Sequence, residues 1–321
     1  MKGLPVTRVD ALAPAPREPH WLVEGLWAEH AVGIVGGEPK CGKTFLALDL
    51  ALAVASGAPA LRHFPVQKPG PVLLFCAEDP PDTVRRRLDG IAAAAGVALA
   101  GLELHLITAA YLRLDSPTHR QALRESVEAL RPRLLVLDPF VRLHRIDENA
   151  AQQVAPLLAY LRHLQRLFHT AVLLVHHARK GGARLRAGQA LRGSSELHAW
   201  GDSNLYLRRR HDRLLLHVEH RAAAAPADVA LELRQTEHAL ALTLAPPDSL
   251  VDEPASRSGS TPSDPAARVL HALAQASRPL SRAQLRDAAR LRTHTLGELL
   301  RELVAAGRIH HTDAGYCIPA R

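Results

Sequence analysis

Aromatic residues are scarce in this chain: Phe, Trp and Tyr make up 4% of 321 residues, although 47% are hydrophobic. A core must therefore be filled by Leu, Val and Ala, and the apolar fraction is that of a globular protein. Cysteine is equally sparse. Cys41, Cys76 and Cys317 lie far apart with no CxxC pair, which argues against zinc ribbons and disulfide scaffolds and fits a reducing compartment. No apolar run is long enough to span a bilayer, and the longest, IAAAAGVALAGL at 91–102, is built of small residues. The opening MKGLPVTRVD has no apolar h-region, so a cytoplasmic protein without a membrane partner is expected. Lysine is rare too, with five against 35 Arg, so a Lys at a particular place carries more meaning than usual.

What the chain has in excess is positive charge. Its net charge of +8 and isoelectric point near 9.9 point to a polyanionic partner. The bland reading, a composition rich in Ala, Arg and Leu, competes with that. The length allows one large or two modest domains.

Residues 1–20 hold four prolines and no clear period, the pattern of a flexible N-terminal arm. From Trp21, strand-length apolar runs alternate with longer helical stretches. The expected strands are 31–37, 70–77, 102–108, 133–138, 171–177 and 203–209, continuous runs of the kind buried on both faces of a parallel sheet. Alternation at 213–221 and 229–234 predicts antiparallel edge strands. Helices are expected at 43–57 and from Asn149 to His169, where Pro156 marks a kink or a restart.

An α/β domain thus covers 21–245. PPDSLVDEPASRSGSTPSDP at 246–265 reads as a linker. Residues 266–321 then carry three short helical stretches and a strand–turn–strand, the order of a winged helix-turn-helix, with nine Arg against two Asp and two Glu.

GEPKCGKT, Gly37 to Thr44, satisfies G-x-x-x-x-G-K-[ST] between an apolar strand and a helix. Its backbone amides, from Gly37 through Glu38, Pro39 (which has none), Lys40, Cys41 and Gly42 to Phe45, would cradle phosphates at a helix start. Lys43 supplies charge to the β and γ phosphates, and the Thr44 hydroxyl can ligate Mg²⁺. ATP and Mg²⁺ are the expected ligands.

Mg²⁺ needs a further oxygen ligand. RLLVLDP delivers Asp138 at the end of a strand, in the manner of a Walker B carboxylate. No acidic residue follows it. The group that orients or deprotonates water is therefore sought at Glu78, ending GPVLLFCAEDP, on a strand expected to lie next to the phosphate-loop strand. Asp79 is the neighbour that competes for the role. His176 and His177 are adjacent on a strand and must face opposite sides, so they cannot readily grip one metal ion.

GGEPKCGKTFLALDLALAVASG, VLLFCAEDPPDTVRRRL, LLVLDPF, VLLVHHARKG and LRGSSELHAWGDSNLYLRR together resemble, in order, the motifs of RepA-type hexameric helicases of the RecA-like ATPase branch. The resemblance covers roughly 18–235. It implies a RecA-like P-loop NTPase core, mostly parallel sheet flanked by helices, assembled as a homohexameric ring that acts on single-stranded DNA in replication.

The same resemblance assigns His177 as the sensor of the γ-phosphate and Arg208 as an arginine finger, with Arg209 and Arg210 adjacent to it. It places KGGARLRAGQALRGSS near the ring channel, where Lys180, Arg184, Arg186 and Arg192 would track a strand's phosphates. Loop 139–147 is a second candidate contact.

The winged helix departs from the minimal helicase. Its recognition helix should run from near Thr293 to Arg301, presenting Arg292, Thr293, His294 and Thr295 to duplex DNA, with Arg308, His310 and His311 in the wing. Leu296, Leu299, Leu300 and Leu303 recur at helical spacing and should be core. Two alternatives stay open: a regulatory ATPase that reads a duplex site without unwinding, and a protein-docking adaptor.

Overall fold

The computed structural model describes residues 4, 6–12, 20–177, 195–210, 213–235, 240–246, 265–274, 276, 279–289, 293–312 and 315–318. A small antiparallel hairpin, β1 (Trp21–Val23) and β2 (Trp27–Ala28), comes first. Then strands and helices alternate: β3 (Val32–Gly37), α1 (Lys43–Ser56), β4 (Val72–Cys76), α2 (Pro81–Ala95), β5 (Leu104–Leu106), α3 (Pro117–Leu130), β6 (Leu134–Asp138), α4 (Ala151–Phe168), β7 (Ala171–His177) and α5 (Ser195–Trp200). A strand run closes the larger part: β8 (Ser203–Arg210), β9 (Arg213–His220), β10 (Val229–Gln235) and β11 (Leu240–Leu244).

Nine of these strands form one sheet in the order β11-β10-β9-β8-β3-β7-β6-β4-β5. From β8 to β5 every pairing is parallel, and β9, β10 and β11 extend the sheet antiparallel. β3 and β6 are buried at every position, which their unbroken apolar runs require. Alternate residues feed two cores. Val35, Leu74 and Val136 pack under α1 and α2, while Ile34, Leu73 and Leu135 pack under α3 and α4.

Several expectations need correcting. β9 and β10 are antiparallel as expected but lie inside the sheet, and β11 is its edge. Glu78's strand, β4, is not beside the phosphate-loop strand: β6 and β7 lie between them. Both edges of β3 are taken by β7 and β8, strands that arrive much later in the chain. The β1–β2 hairpin and β11 were not foreseen. They are two to five residues long, too short to carry a period. Pro156 lies inside a continuous α4, so it does not divide the helix.

α1 is buried almost all round and carries a charge in its middle. Asp49 is 3% exposed, and its carboxylate accepts from the Leu61 amide at 2.6 Å and from Arg62 Nη1 at 2.7 Å. Leu61 and Arg62 both hold left-handed backbone (φ 50° and 58°), and Arg62 also donates to the Leu242 carbonyl of β11. Asp49 thus pins a strained turn and, through Arg62, the last strand. Asp49→Ala would leave that guanidinium without its carboxylate and should cost about 3 kcal/mol. The measurement is a lowered denaturant midpoint at unchanged slope. A loss below about 1 kcal/mol would place the pair among the weak surface type.

Intrachain contacts divide the protein into Met1–Leu250 and Val251–Arg321. The second unit holds α6 (Pro265–Ala274), α7 (Arg282–Ala289), α8 (Thr293–Ala305) and a hairpin of β12 (His310–Thr312) with β13 (Gly315–Cys317). Ser281 and Gln284 cap α7 reciprocally: each amide donates to the other's side-chain oxygen, at 2.9 and 3.3 Å. Leu296, Leu300 and Leu303 are buried with Val269, Leu285 and Ile309, while Leu299 is only half-buried. Among the described residues no helix is long and apolar enough to cross a membrane.

Candidate active site

The site forms at the carboxyl edge of the parallel strands. β3 ends in Gly37, where a Cβ would meet the Leu207 carbonyl oxygen at 2.6 Å. The loop then turns through Lys40 (φ 62°) and Gly42 (φ 94°) before α1 begins at Lys43. Only glycine adopts the Gly42 conformation without strain, so the first amides of α1 are left facing the loop's hollow.

Lys43 is 5% exposed and reaches back over the loop. Its ammonium donates to the Glu38 carbonyl at 2.7 Å and lies 4.0 Å from Cys41 Sγ. Burial lowers its pKa, opposed by Cys41, Asp138 and Glu78. Thr44's hydroxyl is hydrogen-bonded to Asp138, which is 6% exposed at the end of β6. Burial raises the Asp138 carboxyl to about 6, against the pull of the Thr44 hydrogen bond. A buried carboxyl and a hydroxyl in contact are the hard oxygen donors that Mg²⁺ takes, with water and phosphate oxygens completing its shell.

These groups open into a cleft of about 320 Å³, lined also by Glu78, Asp79, His177 and Leu233. The adjacent carboxylates differ in what they touch. Asp79 is paired with Arg87, whose guanidinium lies 5.5 Å over the Phe45 ring. Glu78 Oε1 instead accepts from Arg142 Nε at 2.9 Å. So Asp79 is committed to packing, and among the described residues Glu78 is paired with a side chain from the loop after β6.

The two histidines face opposite ways. His176 is 1% exposed and approaches the Phe140 ring, with centroids 6.0 Å apart. His177 is half-buried in the cleft, and its Nδ1 has no hydrogen-bond partner among the described residues. Burial and then the Lys43 charge lower its pKa, so the neutral imidazole is favoured.

Arg208 lies near the end of β8, one residue beyond Leu207, which is paired with Gly37. It is half-buried and does not line its own chain's cleft, while Arg209 is exposed. Lys180, Arg184, Arg186, Arg192 and Arg292 lie outside the described residues, as does the side chain of Arg210. Thr293 and His294 open α8, and Arg308 is exposed in the turn before β12.

Several residues escaped the sequence reading. Arg142 and Arg87 touch the site's carboxylates, yet Arg142 is 64 positions from Glu78 and only strand order joins them. Leu233 of β10 rims the cleft, and a Cβ on Gly42 would lie 3.5 Å from Leu242 of β11, so the antiparallel extension covers the phosphate loop. In the second unit, Arg282, Arg301 and His311 line a groove of about 510 Å³ with Leu300, Val304 and Tyr316. Arg282 of α7, Arg301 of α8 and His311 of β12 thus share one face.

Residues 3–183 match the family described as AAA domain. The structure is similar to that of a solved ATPase domain, at 14% identity over 66% of this chain and 84% of that one, with a TM-score of 0.51. It is also similar to a DnaB-like replicative helicase whose structure includes its interactions with primase, at 14% identity and a TM-score of 0.50, covering 66% of this chain and 59% of that one. At such identity these likenesses establish a shared RecA-like P-loop fold.

Proposed function

Because the chain belongs to the AAA domain family, we propose that it hydrolyses ATP and uses the energy to move along single-stranded DNA, as a ring helicase or translocase in replication. The observation that carries this is the meeting of Lys43, Thr44, Asp138, Glu78 and His177 in one cleft. The similar DnaB-like replicative helicase supports the assignment to replication, although this chain spans only 59% of it.

On ATP binding, Lys43 exchanges the Glu38 carbonyl for β- and γ-phosphate oxygens, while amides at the α1 start face the same phosphates. Thr44 and Asp138 would hold Mg²⁺, which would supply positive charge beside the transferred phosphoryl group. Glu78 orients the attacking water and takes its proton. His177 contacts the γ-phosphate and loses that partner on hydrolysis. Arg208 enters a neighbouring subunit's cleft, a role supported by its absence from its own.

We read the second unit as a winged helix-turn-helix. Its groove combines two arginines and a histidine with an apolar floor. That mixture favours a second reading, a regulatory ATPase that docks on duplex DNA or a partner without unwinding. Strand displacement from a forked duplex in the presence of ATP separates the two.

The ring-completed site has its own test. Arg208→Ala should reduce ATP turnover about 10³-fold, the scale of a lost finger. Mixed with Lys43→Ala, which keeps the finger, it should regain part of that turnover. No regain at any ratio, with co-assembly shown by mass, would mean that the cleft is complete within one subunit.

A further inference from the structure

The water-activating carboxylate is not free in this structure. Glu78 Oε1 accepts the Arg142 Nε hydrogen at 2.9 Å. A carboxylate whose lone pair is engaged by a guanidinium is a poorer proton acceptor than a free one. The pair is open to solvent, at 61% exposure for Arg142 and 44% for Glu78. An exposed pair of this kind biases its partners by only about two- to five-fold, so a competing anion can undo it.

The backbone that carries Arg142 is fixed, and the side chain is what can move. Phe140 and Leu143, on either side of it, are fully buried. Arg113 donates to the carbonyls of Arg142 and His144, and the Arg145 amide donates to Asp115 at 3.0 Å. The neighbouring carboxylate offers Arg142 no substitute, because Asp79 is held by Arg87. Arg142, 61% exposed, can therefore leave Glu78 for solvent or for another anion without moving the loop backbone.

We propose that Arg142 is a positioning residue that couples strand occupancy to hydrolysis: in an unladen subunit it occupies Glu78, and on capturing a phosphate of single-stranded DNA it releases that carboxylate to the water. This rests on the DNA-dependent ATPase reading above. No covalent step is added. The only change is which anion, carboxylate or phosphodiester, holds the guanidinium.

The test uses the full chain, with a dT oligonucleotide as probe. Arg142→Ala should raise the DNA-free kcat about two- to five-fold, with the KM for ATP within two-fold of wild type, and should shrink stimulation by the oligonucleotide by the same factor. Arg142→Lys, which keeps a cation, should restore the low basal rate. Removing one phosphate contact should also reduce the salt slope of dT binding by about 0.7.

A basal kcat that falls or stays level in Arg142→Ala overturns the proposal, since Arg142 would then support Glu78 or ignore it. A raised basal rate with unchanged stimulation and salt slope also overturns it, because Arg142 would not be the residue that meets the strand. A wild-type protein that hydrolyses no ATP with or without DNA sinks the ATPase reading itself, which is a different result from either.

Discussion

Lys43→Ala should lower ATP turnover by about 10²–10³ or more, the scale on which one preorganised contact to developing charge operates. The cleft explains the size of the effect. Asp138, Glu78 and Asp79 all line it, so incoming phosphates meet three carboxylates. Lys43 is the buried cation placed against them, held in readiness on the Glu38 carbonyl. Without it the β and γ phosphates would face that negative edge with one cation fewer inside. The fold should survive, because burial already disfavours the ammonium and alanine removes that cost. Steady-state ATPase assays and a thermal melt, side by side, give the answer. Wild-type turnover in this variant would end the enzyme reading.

Glu78→Gln should separate binding from chemistry. The amide keeps the shape of the side chain and can still accept from Arg142, so nucleotide affinity should stay within a few-fold. Turnover should fall by about 10²–10⁴, the usual contribution of a placed general base. Asp79→Asn is the comparison that gives the result meaning. Its partner is Arg87, packed over Phe45, so its loss should loosen that corner and leave turnover within about ten-fold of wild type. Equilibrium binding of a fluorescent ATP analogue, together with single-turnover hydrolysis, distinguishes the two variants. If Asp79→Asn is the inactive one, the catalytic assignment is off by one residue.

The strands that hold the site are legible because a strand buried on both faces leaves polar residues no place before its carboxyl end. VGIVGG, LLVLD and AVLLVHH are all of this kind. The phosphate loop was readable for a different reason. Few residue types let a backbone close around phosphate at the start of a helix, and the spacing carries that constraint openly.

What stayed hidden is whatever depends on lateral order. A parallel strand is joined to its predecessor through a helix, so its neighbours in the sheet are not its neighbours in the chain. For that reason the sequence suggests β4 beside β3 and does not match Arg142 with Glu78. β11 escaped on pattern alone. In LALTL the buried positions are Ala241 and Leu242, adjacent rather than alternating, because the strand packs on a loop and a helix as well as in the sheet.

The pairing of β8 with β3 bears on how this protein can be divided. The family match stops at residue 183, but the strand that carries the phosphate loop is hydrogen-bonded to residues 205–207. A Cβ on Gly33 would lie 1.7 Å from the Ser203 carbonyl oxygen, so the two backbones have been brought together at a point where no side chain fits. A fragment ending at 183 would contain every residue of the cleft except Leu233. It would also expose a buried apolar edge of β3, suited to pairing with another copy of itself. The smallest expressible piece is set by that edge rather than by the motif, and it reaches at least to Leu244, the end of β11.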